Sequence, residues 1–164
     1  MPRALLRFAA VLAAILALGA CAGSRRPNFP APARPPVIVQ VDFETVFSTL
    51  RGMLEARGYP LVVEDEQFGS VRTDWVYFEA GQVDVSALAE CPGSGAGPAA
   101  RIRARFGFDV RRRTVQSTVT ILSQWQVERT TGFDESDRGF ADCQSTGGWE
   151  RMVEGTLTQR GTIR

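Results

Sequence analysis

The chain contains no histidine and no lysine. Without histidine there is no Ser-His or Cys-His dyad, no imidazole metal ligand and no ordinary acid–base catalyst for neutral pH. All 19 basic side chains are arginine, against 18 acidic ones. Arg3 and Arg7 lie in the first 20 residues, which hold no acid, so the remainder carries 17 against 18. A near-neutral body is no electrostatic sink for nucleic acid, and no nucleic-acid partner is expected. Cysteine is scarce, with three residues and no CxxC spacing, so no metal site is expected. The apolar stretch from Phe8 to Leu18 is too short for a membrane-spanning helix, which needs about 20 residues. The run Gly93-Ser94-Gly95-Ala96-Gly97 follows no apolar strand directly and opens no helix, so it does not read as a phosphate loop.

What is present begins at the N-terminus. Arg3 and Arg7 precede the apolar stretch, and small residues then lead into a cysteine: Leu18-Gly19-Ala20-Cys21. That is the layout of a secretory signal over residues 1–20. Its end resembles the lipobox of bacterial lipoproteins, which implies that Cys21 is acylated and becomes the first mature residue. Ala22, rather than Asp, after that cysteine resembles the outer-membrane sorting pattern. Residues 21–36 then form a lipidated cysteine and a proline-rich tether. At roughly 3.1 Å per residue the tether reaches up to about 45 Å. In an exported, oxidising setting the two remaining cysteines, Cys91 and Cys143, are expected to pair as a disulfide.

Residues 37–164 read as a single periplasmic α+β domain. Val37 to Val41 is a strand candidate. Asp42 reads as an N-cap, and Phe43, Val46, Phe47, Leu50 and Leu54 follow at helical spacing. Gly58 and Pro60 end that helix, predicted over 43–57. Residues 61–66 and 71–78 are predicted strands, and 79–99 a long loop.

The clearest alternation follows. Ile102, Ala104, Phe106, Phe108 and Val110 share one face, with Arg101, Arg103, Arg105 and Asp109 on the other. Val115, Val119, Ile121, Trp125 and Val127 continue the pattern on the next strand. Parity requires a connection of even length, and a four-residue turn over 111–114 is expected. Residues 129–146 are a predicted loop. Trp149, Met152, Val153 and Leu157 mark a helix over 147–160. The predicted fold is an antiparallel sheet of four to five strands with two helices packed on one face, and Trp75, Trp125 and Trp149 in the core. Both cysteine-bearing loops then reach the same end of the sheet.

Arg101, Arg103, Arg105, Arg111, Arg112 and Arg113 are the candidate binding face. Two readings stay open for it: a surface for lipid phosphates or an acidic protein, and plain surface pairing with Glu64, Glu66 and Asp74. Glu64-Asp65-Glu66 reads as a solvated strand end rather than a metal patch. The polar face of residues 114–126 would offer backbone groups to a partner if that strand were an edge.

From Val37 to Tyr77 the chain resembles the BamC-type (NlpB) lipoproteins of the outer-membrane protein assembly machine. The residues that carry this are Phe43-Glu44-Thr45-Val46-Phe47, Leu50, Leu54, Gly58-Tyr59, Asp65, Gly69 and Arg72-Thr73-Asp74-Trp75-Val76. The resemblance implies helix-grip architecture and a non-enzymatic scaffold or accessory role, with an envelope protein as partner and no cofactor. The alternative expectation is a lipid- or glycan-binding module that uses the Arg-rich face.

Overall fold

A computed structural model describes residues 29–79, 81–92, 101–128 and 139–160. The predicted signal, Cys21, the start of the predicted tether and the glycine run 93–97 lie outside the described residues. After the end of the tether come β1 (Val37–Val39) and α1 (Phe43–Glu55). Asp42 caps α1, its carboxylate accepting from the Thr45 backbone N–H at 2.9 Å and the Thr45 hydroxyl at 2.8 Å. The buried stripe Phe43, Val46, Phe47, Leu50, Met53 and Leu54 faces the core. The chain leaves through Gly58 at φ 70°, in the left-handed region that glycine enters without steric cost.

β2 (Leu61–Asp65) and β3 (Ser70–Thr73) form a hairpin. Its turn ends at Gly69, with φ 65°. A Cβ there would sit 2.1 Å from the Val110 carbonyl oxygen, so only glycine lets the turn lie against the neighbouring strand. β4 (Val76–Phe78) and the two-residue β5 (Ala89–Glu90) follow. β6 (Ile102–Arg112) and β7 (Ser117–Glu128) are the long pair, in register from Ile102↔Val127 to Arg112↔Ser117. β8 (Phe140–Ser145) and α2 (Gly148–Arg160) complete the described elements.

The strand order is β2-β3-β6-β7-β8-β5, with β4 also on β6 and β1 also on β7. The expected sheet of four to five strands carrying two helices on one face is therefore corrected. Among the described residues there are eight antiparallel strands in one sheet, two α-helices and one 3-10 turn over Val85–Ala87. The helix-grip arrangement implied by the resemblance is not the architecture found. Three segments account for the difference. The predicted strand over 71–78 is broken in two, the predicted loop 79–99 contains β5, and the predicted loop 129–146 contains β8. Neither β5 nor β8 has apolar alternation to announce it; β8 reads Phe-Ala-Asp-Cys-Gln-Ser. Pairing decides them, and the Cys91–Cys143 disulfide bridges opposed positions, continuing the Ala89↔Ser145 and Glu90↔Gln144 register.

The β6–β7 connection is also corrected. Arg113 and Gln116 exchange backbone hydrogen bonds at 2.9 and 3.4 Å, so the turn is the two residues Thr114 and Val115. The parity is as required, but the strands run further than expected. Val115, expected on the inner face, is 73 % exposed at the turn. The interior strand β7 has β6 on one side and β1 and β8 on the other, so it is not the edge considered for a partner strand. Met152 likewise lies outside the core.

The inner face follows the alternation. Ala104, Phe106, Phe108, Val110, Val119, Ile121, Trp125 and Val127 are buried. Trp149, Val153 and Leu157 of α2 join the same apolar cluster as the α1 stripe. Phe106 lies at its centre, 4.0 Å from Trp149 and 5.2 Å from Tyr59 by ring centroids. Glu150 is wholly buried at the start of α2. Its carboxylate accepts from the Ser123 hydroxyl at 2.8 Å and the Ser145 hydroxyl at 3.2 Å. Those bonds tie the helix to β7 and β8.

Candidate binding face

The outer face of the sheet is shaped by one extra residue. Arg72 of β3 opposes Gly107, whereas Val76 of β4 opposes Ala104. Four steps along one strand thus match three along the other, a β-bulge at Asp74. Its backbone groups are satisfied locally. The Asp74 N–H donates to the Pro60 carbonyl at 2.9 Å, and the Trp75 N–H to the Asp74 carboxylate at 2.7 Å. The Phe106 N–H, which loses its strand partner, donates to the Thr73 hydroxyl at 2.9 Å.

The bulge reverses the face of everything after it. Val71 and Thr73 point inward, but Trp75 and Tyr77 turn outward. The expectation of Trp75 in the core is corrected on that ground, while Trp125 and Trp149 are buried. Simple alternation from Val71 fails because it assumes an unbroken strand.

Trp75 meets the arginines of β6. The Arg103 guanidinium carbon lies 4.3 Å from the Trp75 ring centroid and 3.7 Å from that of Phe140. Arg105 lies 4.9 Å from Trp75 and 5.0 Å from Phe29. Across the hairpin, Arg103 Nε donates to Gln126 at 2.8 Å and Arg105 Nε to Gln124 at 2.7 Å. Both glutamines in turn donate to one oxygen of Asp142, at 2.8 and 3.0 Å. Those two bonds, Gln126 first and Gln124 second, hold the Asp142 carboxyl below its ordinary value. Arg105 is shifted down by burial first and by Arg103 second.

Arg72 extends this layer. It is 8 % exposed, donating to the Val71 and Phe108 carbonyls and to Asp109 at 2.6 Å. Its stem crosses Gly107, where a Cβ would lie 2.5 Å from Arg72 Cδ. The Phe29 ring sits 5.4 Å from the Arg72 guanidinium. Phe29 and Pro30 wall a shallow hollow with Gln124, Asp142 and Cys143.

The predicted six-arginine face therefore divides. Arg103 and Arg105 are half-buried in the ladder. Arg101, Arg111 and Arg113 are exposed. Arg112 belongs to the other side, paired with Glu44 at 2.7 Å and 4.0 Å from the Phe43 ring. The considered pairing with Glu64 is not found, because Glu64 meets Arg51 at 2.9 Å. Among the described residues no three acidic, cysteine or histidine side chains converge on a metal position. Cys91 and Cys143 are joined, with Cα atoms 4.2 Å apart. Cys21 lies outside the described residues.

Sequence reasoning missed Phe29, Phe140, Asp142 and the two glutamines as parts of one surface. The regular polar alternation Gln124-Trp125-Gln126 was the available signal for the glutamines. Nothing local marks Phe29 or Phe140, which arrive from distant segments.

No family model matches the chain, and no curated protein matches it in sequence.

Proposed function

We propose that the chain is an outer-membrane-anchored periplasmic lipoprotein, held by Cys21, that serves as a non-catalytic accessory or scaffold protein of the envelope. The observation that carries this reading is the organised outer face. Arg103 lies between Trp75 and Phe140, and Gln124, Gln126 and Asp142 hold the arginines in place. Aromatic and arginine side chains kept rigid in this way are the chemistry of a binding hot spot. Each arginine gives its Nε donor to a glutamine amide and its flat face to aromatic rings, an arrangement that suits recognition. A part in outer-membrane protein assembly is supported by the resemblance of residues 37–77 to BamC-type lipoproteins.

Mild crosslinking and affinity purification of the full chain test the reading. Recovery of an envelope protein, reduced at least tenfold by Trp75→Ala with Tyr77→Ala, is the expected result. Unchanged recovery with those substitutions overturns the outer face as the binding surface. A second reading, a lipid- or glycan-binding module, is favoured by the seating of Phe29 on this same face. Enrichment of phospholipid or glycan fragments instead of protein supports it. Cys21→Ser should release the domain from the membrane fraction or leave the signal uncleaved; unchanged partition and processing end the lipoprotein reading.

A further inference from the structure

We propose that the turn end of the β6–β7 hairpin touches the membrane. Arg111 and Arg113 take phosphate-bearing lipid headgroups there, and Ile38 and Val115 enter the interface beside them. This deepens the lipid-binding reading and rests on Cys21 being the acylated residue.

The first observation is a contrast among arginines. Arg51, Arg72, Arg103, Arg105 and Arg112 are each engaged by a carboxylate, a carbonyl, an amide or a ring. Arg111 and Arg113 are exposed, and among the described residues neither side chain has a hydrogen bond or ion pair. Two acids are held elsewhere: Glu44 by Arg112, and Asp109 by Arg72 and Ser70. Two unpaired guanidinium groups, Arg111 near the end of β6 and Arg113 just beyond it, match neighbouring phosphates, whereas the exposed Arg101 lies singly at the other end of the strand.

The second observation is where apolar surface is exposed. Val115 is 73 % exposed and Ile38 47 %. Both lie at this end. Val115 is in the turn, and Ile38 opposes Thr118, which opposes Arg111. Apolar side chains interleaved with arginine are the composition of an interfacial anchor. Each arginine near an anionic surface strengthens binding about fivefold.

The third observation is reach. Phe29 is seated on the outer face over Arg72 and Arg105. Seven residues, 22–28, separate Cys21 from it. A chain spans at most about 3.6 Å per residue, so Phe29 lies within roughly 30 Å of the acylated cysteine. Arg72 opposes Gly107, and four residues of strand, about 13 Å, lead from there to Arg111. The seating of Phe29 on the outer face leaves the Arg111 end within reach of the acylated cysteine.

The test uses the full acylated chain in phosphatidylcholine vesicles, with and without phosphatidylglycerol, containing acyl-brominated lipid. Val115→Trp adds emission at the turn, and Met152→Trp adds it on α2. The expected result is quenching at position 115 at least threefold stronger than at 152, greatest with phosphatidylglycerol. Arg111→Ser with Arg113→Ser should remove that phosphatidylglycerol dependence. Flotation with the vesicles reads the anchor separately. A chain that floats while position 115 is unquenched, or crosslinked to protein instead, overturns this proposal and leaves the anchor standing. A chain that does not float overturns the anchor and the proposal together.

Discussion

Arg103 and Arg111 sit on the same strand, on the same face, eight residues apart, and their surroundings differ completely. Arg103 lies between two aromatic rings, with Gln126 across the hairpin. Arg111 is exposed, opposite Thr118. The residue type and the strand are the same, so neither explains the difference. What differs is how many other segments arrive. At the Arg103 end, β4, β7 and β8 all contribute side chains. At the Arg111 end the turn closes and the flanking surface is Ile38 and Val115. One end of the face is a finished polar layer, and the other remains open.

The largest test of that comparison is removal of the disulfide. Cys91 and Cys143 are separated by 52 residues, and a bond closing such a loop contributes roughly 4 kcal/mol in the chain-entropy model. Cys91→Ser with Cys143→Ser should lower stability by about that amount. The loss should be uneven. β5 and β8 should lose hydrogen-exchange protection first, and Phe140 and Asp142 with them. The Arg111 end should keep its protection, because β1, β3 and β7 hold it without β8. Uniform loss across both ends would show that the two are one cooperative unit.

A smaller effect compares the two arginines directly. Arg103→Ala removes contacts with two rings and a hydrogen bond to Gln126, and should cost about 1–2 kcal/mol in denaturant unfolding. Arg111→Ala should stay within about 0.5 kcal/mol of the parent, as exposed substitutions do. Equal costs would mean that the ring contacts at Arg103 add nothing in water.

The smallest effect concerns acid. The folded-state value of the Asp142 carboxyl is lowered, chiefly by the Gln126 bond and then by Gln124. Its contribution to stability is therefore complete above the ordinary carboxylate value, about pH 4. That contribution disappears as the pH falls through the depressed folded value. Gln126→Ala should move the Asp142 midpoint up toward the ordinary value, read by carboxyl-carbon NMR titration. An unmoved midpoint would show that the amide bonds do not hold the carboxylate.

Much of the inner half of the molecule was legible in the residues. Alternation through Ile102–Val110 and Val119–Val127 places the buried face of the long hairpin. Asp42, the stripe from Phe43 to Leu54 and Gly58 mark α1 within two residues at its end. These signals are local, and each residue needs only its chain neighbours to state its preference. The strand count was not legible. β5 is two residues long and β8 is mostly polar, so pairing and the disulfide, rather than propensity, make them strands.

By itself, then, the sequence determined which side of β6 and β7 is apolar, where the first helix begins and stops, and which chemistries a chain without histidine lacks. Only the tertiary structure decided which way Trp75 faces. Its orientation depends on a bulge that Pro60, just ahead of β2, and Phe106 of β6 complete, and one inserted residue reverses every side chain beyond it. The same holds for the arginines. Their spacing places them on an outer face, but whether a guanidinium is stacked or free is set by Phe29, Phe140 and the glutamines, which come from segments far along the chain. Periodicity specifies a face, whereas the occupants of that face are specified by what the fold brings across it.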